Sequence, residues 1–374
     1  MSATEQHGTP ELAILSARLQ DALRSVAKVP DQLPWYLLLG SPQAGKTALL
    51  ANSGLRFPLA ATQRKTGGTA DCDWWLGEEA VFLDTAGRYL FQDGQPAVEQ
   101  VTWLGFLQLL RTHRPRQPLN GLLVFVSIAD FLRRDTGQRS RCAQSIRLRI
   151  QELHEQLGTR FPVYVLFTKM DLLAGFAEFF EDLDDEGRQQ VWGMSFPYLN
   201  DPKQSSVMHF RQEFSLLEGR LYQQLITKMD KARSMESRRS RYLFPQQFSL
   251  LGDDLQAFLE HVFQPSRYDS AAMLRGVYFT SATQTGTPAD RITASLAARF
   301  GISPPASGHG KQPVTGHSFF IRALLSKVIF READLAGTHQ VVDLQARKRE
   351  WDKSIIWVGI AVLLAIVAII WFNS

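Results

Sequence analysis

Cysteine is scarce in this chain, with only Cys72 and Cys142 among 374 residues. Two cysteines cannot build a disulfide framework, and no CxxC or Cys/His cluster offers zinc-ligand spacing. The fold must therefore rest on an ordinary apolar core, for which a 45% hydrophobic composition is ample. The bulk of the chain reads as reduced and cytosolic. An excess of one charge sign is missing too: 41 basic residues face 37 acidic ones, a net of +4 spread along the sequence. That balance names no polyanionic partner, and no nucleic-acid function is expected. The densest basic stretch, residues 231–241 (KARSMESRRSR), reads as solvated helix or loop. The opening MSATEQHGTP lacks the charged start and apolar run of a signal peptide, and no internal repeat is present.

Long hydrophobic runs are absent except for one. Residues 355–372 (IIWVGIAVLLAIVAIIWF) hold no charged or amide side chain. At ~1.5 Å per residue this run spans ~27 Å, close to the bilayer hydrocarbon. Trp357 and Trp371 stand near its ends, where interfacial aromatics belong. A transmembrane helix over 354–372 is expected. Arg347, Lys348, Arg349 and Lys353 precede it, so the positive-inside rule puts residues 1–353 in the cytoplasm.

Ahead of that run, Leu12, Leu15, Leu19, Leu23 and Val26 recur at helical spacing, giving an amphipathic lead-in helix within 1–30. From Trp35 the pattern changes to short apolar runs: WYLLLG, AVFLDTAG, GLLVFVS, PVYVLFTK and RGVYFTS. Such runs suit the buried strands of a parallel sheet, and helical segments such as 103–111 and 141–157 separate most of them. CDWWL and AVFLD are joined only by Gly77, Glu78 and Glu79, which is too short for a crossover and implies an antiparallel hairpin. The expected class is α/β, a mostly parallel sheet with one antiparallel hairpin and helices on both faces. Its first part covers 31–174. Residues 175–270 hold no convincing strand and read as a helical insertion, and 271–300 supply the last strand and helix. Residues 301–317, rich in Pro, Gly and Ser, form a linker. Residues 318–353 make a helical extension toward the membrane.

The chemistry is written in ordered motifs. Gly40, Ser41, Pro42, Gln43, Ala44, Gly45, Lys46 and Thr47 match GxxxxGK[ST] in full, with Ala48 continuing into a helix and WYLLL just before. Glycines at the two ends let consecutive N–H groups aim at phosphate oxygens, and the helix start adds favourable partial charge. Lys46 is expected on the β- and γ-phosphates and the Thr47 hydroxyl on Mg²⁺. The DTAG sequence then ends a strand, with Asp84 near the Mg²⁺ and the Gly87 N–H near the γ-phosphate. Asp84 follows Thr47 by only 37 residues, which with the hairpin suits a P-loop domain of the Ras-like GTPase type better than a RecA-like ATPase.

TKMD, at Thr168, Lys169, Met170 and Asp171, ends another strand, as the guanine-reading [NT]KxD motif does. Its carboxylate would accept from the guanine N1–H and exocyclic amine. Ser281 and Ala282 fit a base-contacting loop. Thr66 and Thr69 are candidates for a switch threonine closing on Mg²⁺ and the γ-phosphate, Thr69 being preferred. Arg88 stands directly after the DxxG glycine, where Ras-like enzymes carry a water-orienting Gln. Arg88 cannot act as a base and is assigned to transition-state charge or to a carboxylate of the insertion.

With those residues in view, the chain resembles the IcmF/TssM family, the inner-membrane core component of bacterial type VI secretion systems. The likeness rests on LPWYLLLGSPQAGKTALLANSGLRFPLA, GGTADCDWW, AVFLDTAGRYLFQDG, TKMDLLAGFAEFF, VWGMSFP, LRGVYFTSATQTG and SFFIRALLSKVIF. Ala70 and Asp71 stand where the family pattern has Arg and Asn. The resemblance implies a TssL-like partner in the inner membrane, a baseplate partner such as TssK, and a TssJ-like outer-membrane lipoprotein reached through a periplasmic region outside this sequence. It also implies that the sequence is a fragment of a longer membrane protein. The cofactors expected are GTP, or ATP, with Mg²⁺. Three readings stay open: a slowly hydrolysing switch or assembly element, a scaffold whose site does not turn over, and an ATPase energising the complex.

Overall fold

The computed structural model describes residues 33–58, 72–199, 204–265, 272–282 and 318–337, together with Ala17 and Gln20. Apart from those two helical residues, the expected lead-in helix lies outside the described residues. So do Thr66, Thr69, the linker 301–317 and the apolar run 354–372. Among the described residues no helix is long and apolar enough to cross a membrane.

The apolar runs form strands β1 (Trp35–Gly40), β2 (Cys72–Leu76), β3 (Val81–Thr85), β4 (Gly121–Ser127), β5 (Pro162–Thr168), β6 (Gly193–Ser195) and β7 (Met273–Phe279). They make one sheet in the order β2-β3-β1-β4-β5-β7-β6. The five central strands are parallel to one another, and an antiparallel strand closes each edge. Every residue of β1, β3, β4 and β5 is buried, as strands covered on both faces require. The β2–β3 hairpin pairs Cys72 with Thr85 and Leu76 with Val81, as the three-residue joint demanded.

Between the strands run α1 (Lys46–Ala51), α2 (Arg88–Phe91), α3 (Pro96–His113), α4 (Ile128–Arg133) and α5 (Thr136–Leu157). Pro96 opens α3 without losing a hydrogen bond, because the first helical N–H has no acceptor inside the helix. The α5 helix starts on a reciprocal capping box between Asp135 and Gln138 and stops at Gly158, where φ is 65°. Such a cap contributes about 1 kcal/mol. Trp103, Phe106 and Leu107 of α3 and Ile146, Ile150 and Leu153 of α5 pack on the sheet face formed by Leu37, Leu122, Val124 and Val163.

The expected insertion supplies α6 (Phe176–Phe180), α7 (Asp185–Gln189), α8 (Phe210–Asp230), α9 (Met235–Ser249) and α10 (Gly252–Phe263). It also corrects one expectation, since it is not strand-free: Gly193, Met194 and Ser195 pair with Tyr278, Val277 and Gly276 to give β6. A three-residue strand has no periodicity to read, and only the free edge of β7 makes it one. Phe176, Phe180, Trp192, Phe244 and Phe248 form an aromatic cluster that reaches Phe279 at the end of β7. The basic stretch falls largely on α9. Lys231 pairs with Asp182 at 3.0 Å, and buried Arg241 pairs with Glu181 at 3.1 Å while donating to the Lys228 carbonyl at 2.7 Å.

The opposite sheet face, with Tyr36, Leu38, Phe82, Leu123, Phe125, Tyr164 and Leu166, is covered by Leu49 and Leu50 of α1 and by a segment from beyond residue 317. That segment, 318–337, begins the expected helical extension; it winds as a π-helical turn (Leu324–Ile329) and a 3-10 turn (Phe330–Leu335) and lies on the sheet. Ile321, Leu324, Leu325 and Ile329 are buried there. Tyr36 Oη donates to the Ile329 carbonyl at 3.0 Å, and the Glu332 carboxylate accepts from Tyr164 Oη at 2.7 Å and Arg275 Nε at 3.1 Å. Burial and Glu332 push the Tyr36 and Tyr164 phenols well above their ordinary range, which keeps both as donors.

Candidate functional site

β3, β1, β4 and β5 are successive parallel strands of the sheet, so the loops that follow β1, β3 and β5 emerge at one edge. The β1 strand ends at Gly40 and α1 starts at Lys46, so residues between them wrap the start of the helix. A side chain at Gly40 would put its Cβ 2.7 Å from the Phe125 carbonyl oxygen, and Gly45 has φ 90°. Both positions are therefore open to glycine alone without rearrangement. Gln43 also takes a left-handed conformation, φ 59°. Ser41 and Ala44 are buried, Pro42 and Gln43 exposed, and Ala48 half-buried on the helix.

Lys46 is 6% exposed and turns back over the loop, donating to the Gly40 carbonyl at 3.1 Å and the Ser41 carbonyl at 3.4 Å. Burial lowers its pKa and Asp84 opposes that fall, so an anion beside it would gain more than one on open surface. Thr47 Oγ1 donates to Asp84 Oδ2 at 2.5 Å. A hydroxyl and a carboxylate in contact are hard oxygen donors of the kind Mg²⁺ takes, and the donor set fits that ion. Among the described residues no group of three or more His, Cys, Asp or Glu could hold a metal, so this pair would need phosphate and water oxygens to complete the ion's shell.

The DTAG turn is pressed against the loop. A Cβ at Gly87 would lie 2.3 Å from Pro42 N and 2.6 Å from Pro42 Cα, so the two backbones touch. Thr85 Oγ1 donates to the Leu38 carbonyl at 2.6 Å, tying β3 to β1 just below. Arg88 begins α2, and its guanidinium lies over the Tyr89 ring, 5.2 Å from the centroid.

Thr168, expected to contact nucleotide, spends its hydroxyl on the Ala44 carbonyl at 2.6 Å, so the base-side motif buttresses the phosphate loop. Lys169 adopts φ 59° and starts the turn Met170–Leu172 that carries Asp171. Met170 N donates to the Thr280 carbonyl at 3.2 Å, and Ser281 Oγ donates to Asp171 Oδ1. Asp171 Oδ2 is buried with no hydrogen-bond partner among the described residues. Burial raises the pKa of this carboxyl, opposed by the Ser281 hydroxyl, its own backbone and Lys169. An acceptor in that state suits a ligand bearing N–H donors. Ala282 is buried beside Ser281. Sequence reading missed Phe319, which exchanges main-chain hydrogen bonds with Ser281; a backbone pairing across that separation leaves no mark in residue type.

The IcmF-related N-terminal domain matches residues 96–359, most of the chain. The chain belongs to the IcmF/TssM family. Within that family it is 44% identical over 357 residues to type VI secretion system component TssM1 of Pseudomonas aeruginosa, a match covering 91% of this chain and 32% of the relative. The family member described here thus spans about a third of that relative's length. Among solved structures, the signal recognition particle receptor SRb-GTP/SRX complex from Chaetomium thermophilum overlays on 39% of this chain and 75% of its own, at 22% identity and TM-score 0.26. A SAR1 GTPase from Encephalitozoon cuniculi in complex with GDP overlays on 45% and 58%, at 17% identity and TM-score 0.21. Overlaps this small add nothing to what the site's own geometry says.

Proposed function

We propose that this IcmF/TssM-family chain is a membrane-anchored, GTP-preferring P-loop domain of a type VI secretion membrane complex, a switch or assembly element with slow Mg²⁺-dependent hydrolysis. One observation carries the reading: a glycine-bounded loop with Lys46, a Thr47–Asp84 pair and a buried, half-satisfied Asp171 converge on one sheet edge. Gly40, Ser41, Gln43, Ala44, Gly45 and Ala48 would supply main-chain donors around the phosphates, while Pro42, which has no N–H, would shape the loop. Lys46 would leave its two carbonyls for β- and γ-oxygens, a charge-assisted exchange. Thr47 and Asp84 would hold Mg²⁺, which when bound neutralises charge on the phosphates. The Gly87 N–H, in the turn that lies against Pro42, would face the γ-phosphate. Asp171 and Ser281 would read the guanine edge. Thr69 would close the site from outside the described residues, and Arg88 would face developing charge.

The partners proposed are TssL-like and TssK-like components of the same machine, and a TssJ-like lipoprotein through the remainder of the protein. A scaffold without turnover is favoured over an energising ATPase by Arg88, because no residue of DTAGRY orients water. The test is titration with Mg²⁺·GTP. Lys46→Ala should weaken affinity about tenfold or more, the loss of a contact worth ~1.5–3 kcal/mol. Equal affinities of wild type and variant would reject the site.

A further inference from the structure

Residue 281 is joined to residue 319 by an isolated antiparallel pair in which Ser281 N donates to the Phe319 carbonyl at 3.2 Å and Phe319 N to the Ser281 carbonyl at 2.7 Å. Ser281 is the residue whose hydroxyl holds Asp171 Oδ1, while Oδ2 stays buried without a partner. The carboxylate is thus oriented by a serine whose own backbone is clamped by the segment that covers the second sheet face. We propose that Phe319 is the positioning residue for base discrimination: by pinning Ser281 it sets the rotation of Asp171 and hence the preference for guanine. This inference rests on the nucleotide reading of the site.

The clamp is built to hold. Phe320 sits at φ 63°, a conformation unfavourable for a bulky residue, which persists only where surroundings impose it. Those surroundings are visible: Phe320 N donates to the Arg188 carbonyl at 2.6 Å, and its ring packs 5.2 Å from Phe180 and 5.4 Å from Trp192. Phe319 meets Phe176 at 5.4 Å. The helical insertion therefore grips the clamp from one side. From the other, Ile321, Leu324 and Leu325 share a core with Leu49 and Leu50 of α1, and Glu332 latches the far end to Tyr164 and Arg275. Base loop and insertion meet at two consecutive phenylalanines, and the phosphate helix packs on the residues that follow them.

The experiment measures Mg²⁺·GTP and Mg²⁺·ATP affinities of the full chain with fluorescent analogues, in wild type, Phe319→Pro and Phe319→Ala. Proline deletes the N–H that Ser281 O accepts, whereas alanine keeps it. Phe319→Pro should lower GTP affinity about tenfold and ATP affinity less than about twofold, the size of one misaligned pair of hydrogen bonds. Phe319→Ala should leave the GTP/ATP ratio near wild type. Should the proline variant fail to fold, Glu332→Gln, which loosens the latch far from the base, must still lower that ratio. A wild-type GTP preference that survives both Phe319→Pro and Glu332→Gln would overturn the inference alone. Equal losses for both nucleotides would do the same, marking a merely structural contact. A wild type that binds neither nucleotide would overturn the nucleotide reading and this inference with it.

Discussion

At Gly87 the fit is so close that a single Cβ would strike the Pro42 backbone, and the residue that follows decides what the turn can do. Arg88 supplies charge but no lone pair to orient water, and its guanidinium rests on Tyr89. Positioned charge without a positioned nucleophile leaves most of the barrier standing. Unaided Ras-like turnover is itself only ~10⁻⁴ to 10⁻³ per second. The isolated chain should therefore show single-turnover hydrolysis of that order at saturating Mg²⁺. A rate above about 1 per second that vanishes in Lys46→Ala would mean a complete catalytic site exists here, far from that unaided range. The residues legible from sequence at this scale are those whose type the chemistry dictates: Gly40 and Gly45 for backbone approach, Lys46 for phosphate charge, Thr47 and Asp84 for a hard cation. Thr168 was legible as a site residue but not as a buttress. Whether a hydroxyl points to ligand or to Ala44 is settled by packing, not by residue type.

Among the elements, the insertion's helices are tied by charge as well as by aromatic packing. Asp182, just past α6, accepts from Lys228 at the end of α8 and from Lys231 beyond it. Burial alone would push its carboxyl up, but hydrogen bonds and charge from the two lysines outweigh that and hold it below its ordinary 3.8. A depressed folded-state pKa contributes stability that is present above the unfolded value and lost as pH falls through the folded one. Wild type should accordingly lose stability more steeply than Asp182→Asn below pH 3.8, and the two should keep a constant gap above it. Denaturant midpoints of both proteins across that window check the slope; parallel curves would mean the pair is not formed. At this scale the sequence was most readable where local geometry leaves one answer. Gly77, Glu78 and Glu79 are too few for a crossover, so β2 and β3 had to form a hairpin. It was least readable where an element exists only by pairing with a distant one, as with β6 on β7 and Phe319 on Ser281. The docking of 318–337 on the sheet is illegible for the same reason: its apolar spacing fits a helix, and the surface it covers belongs to strands far upstream.

For the molecule as a whole, the docking of 318–337 means that chain leading toward the apolar run 355–372 starts from the sheet rather than from a free linker. Gly337 N donates to the Arg160 carbonyl at 2.9 Å, and Gln117 Nε2 to the Ala336 carbonyl at 3.1 Å, so the strap is held up to the last residue described. If the run crosses a bilayer, the α/β domain sits within a short tether of the membrane surface. Its side would then be set by the basic residues before the run, Arg347, Lys348, Arg349 and Lys353, since basic side chains resist translocation. A phosphatase reporter active only outside the cytoplasm, fused after Ser374 in a bacterial host, should therefore be active, while a reporter inserted before residue 338 should be silent. Replacing the four basic residues by Gln removes the bias without touching the apolar run, and the distal reporter should then lose part of its activity as a fraction of chains inverts or stays uninserted. A distal reporter that is cytoplasmic in the wild type would show that the run does not cross, and the strap would then end in a surface-bound or protein-bound helix rather than a membrane anchor.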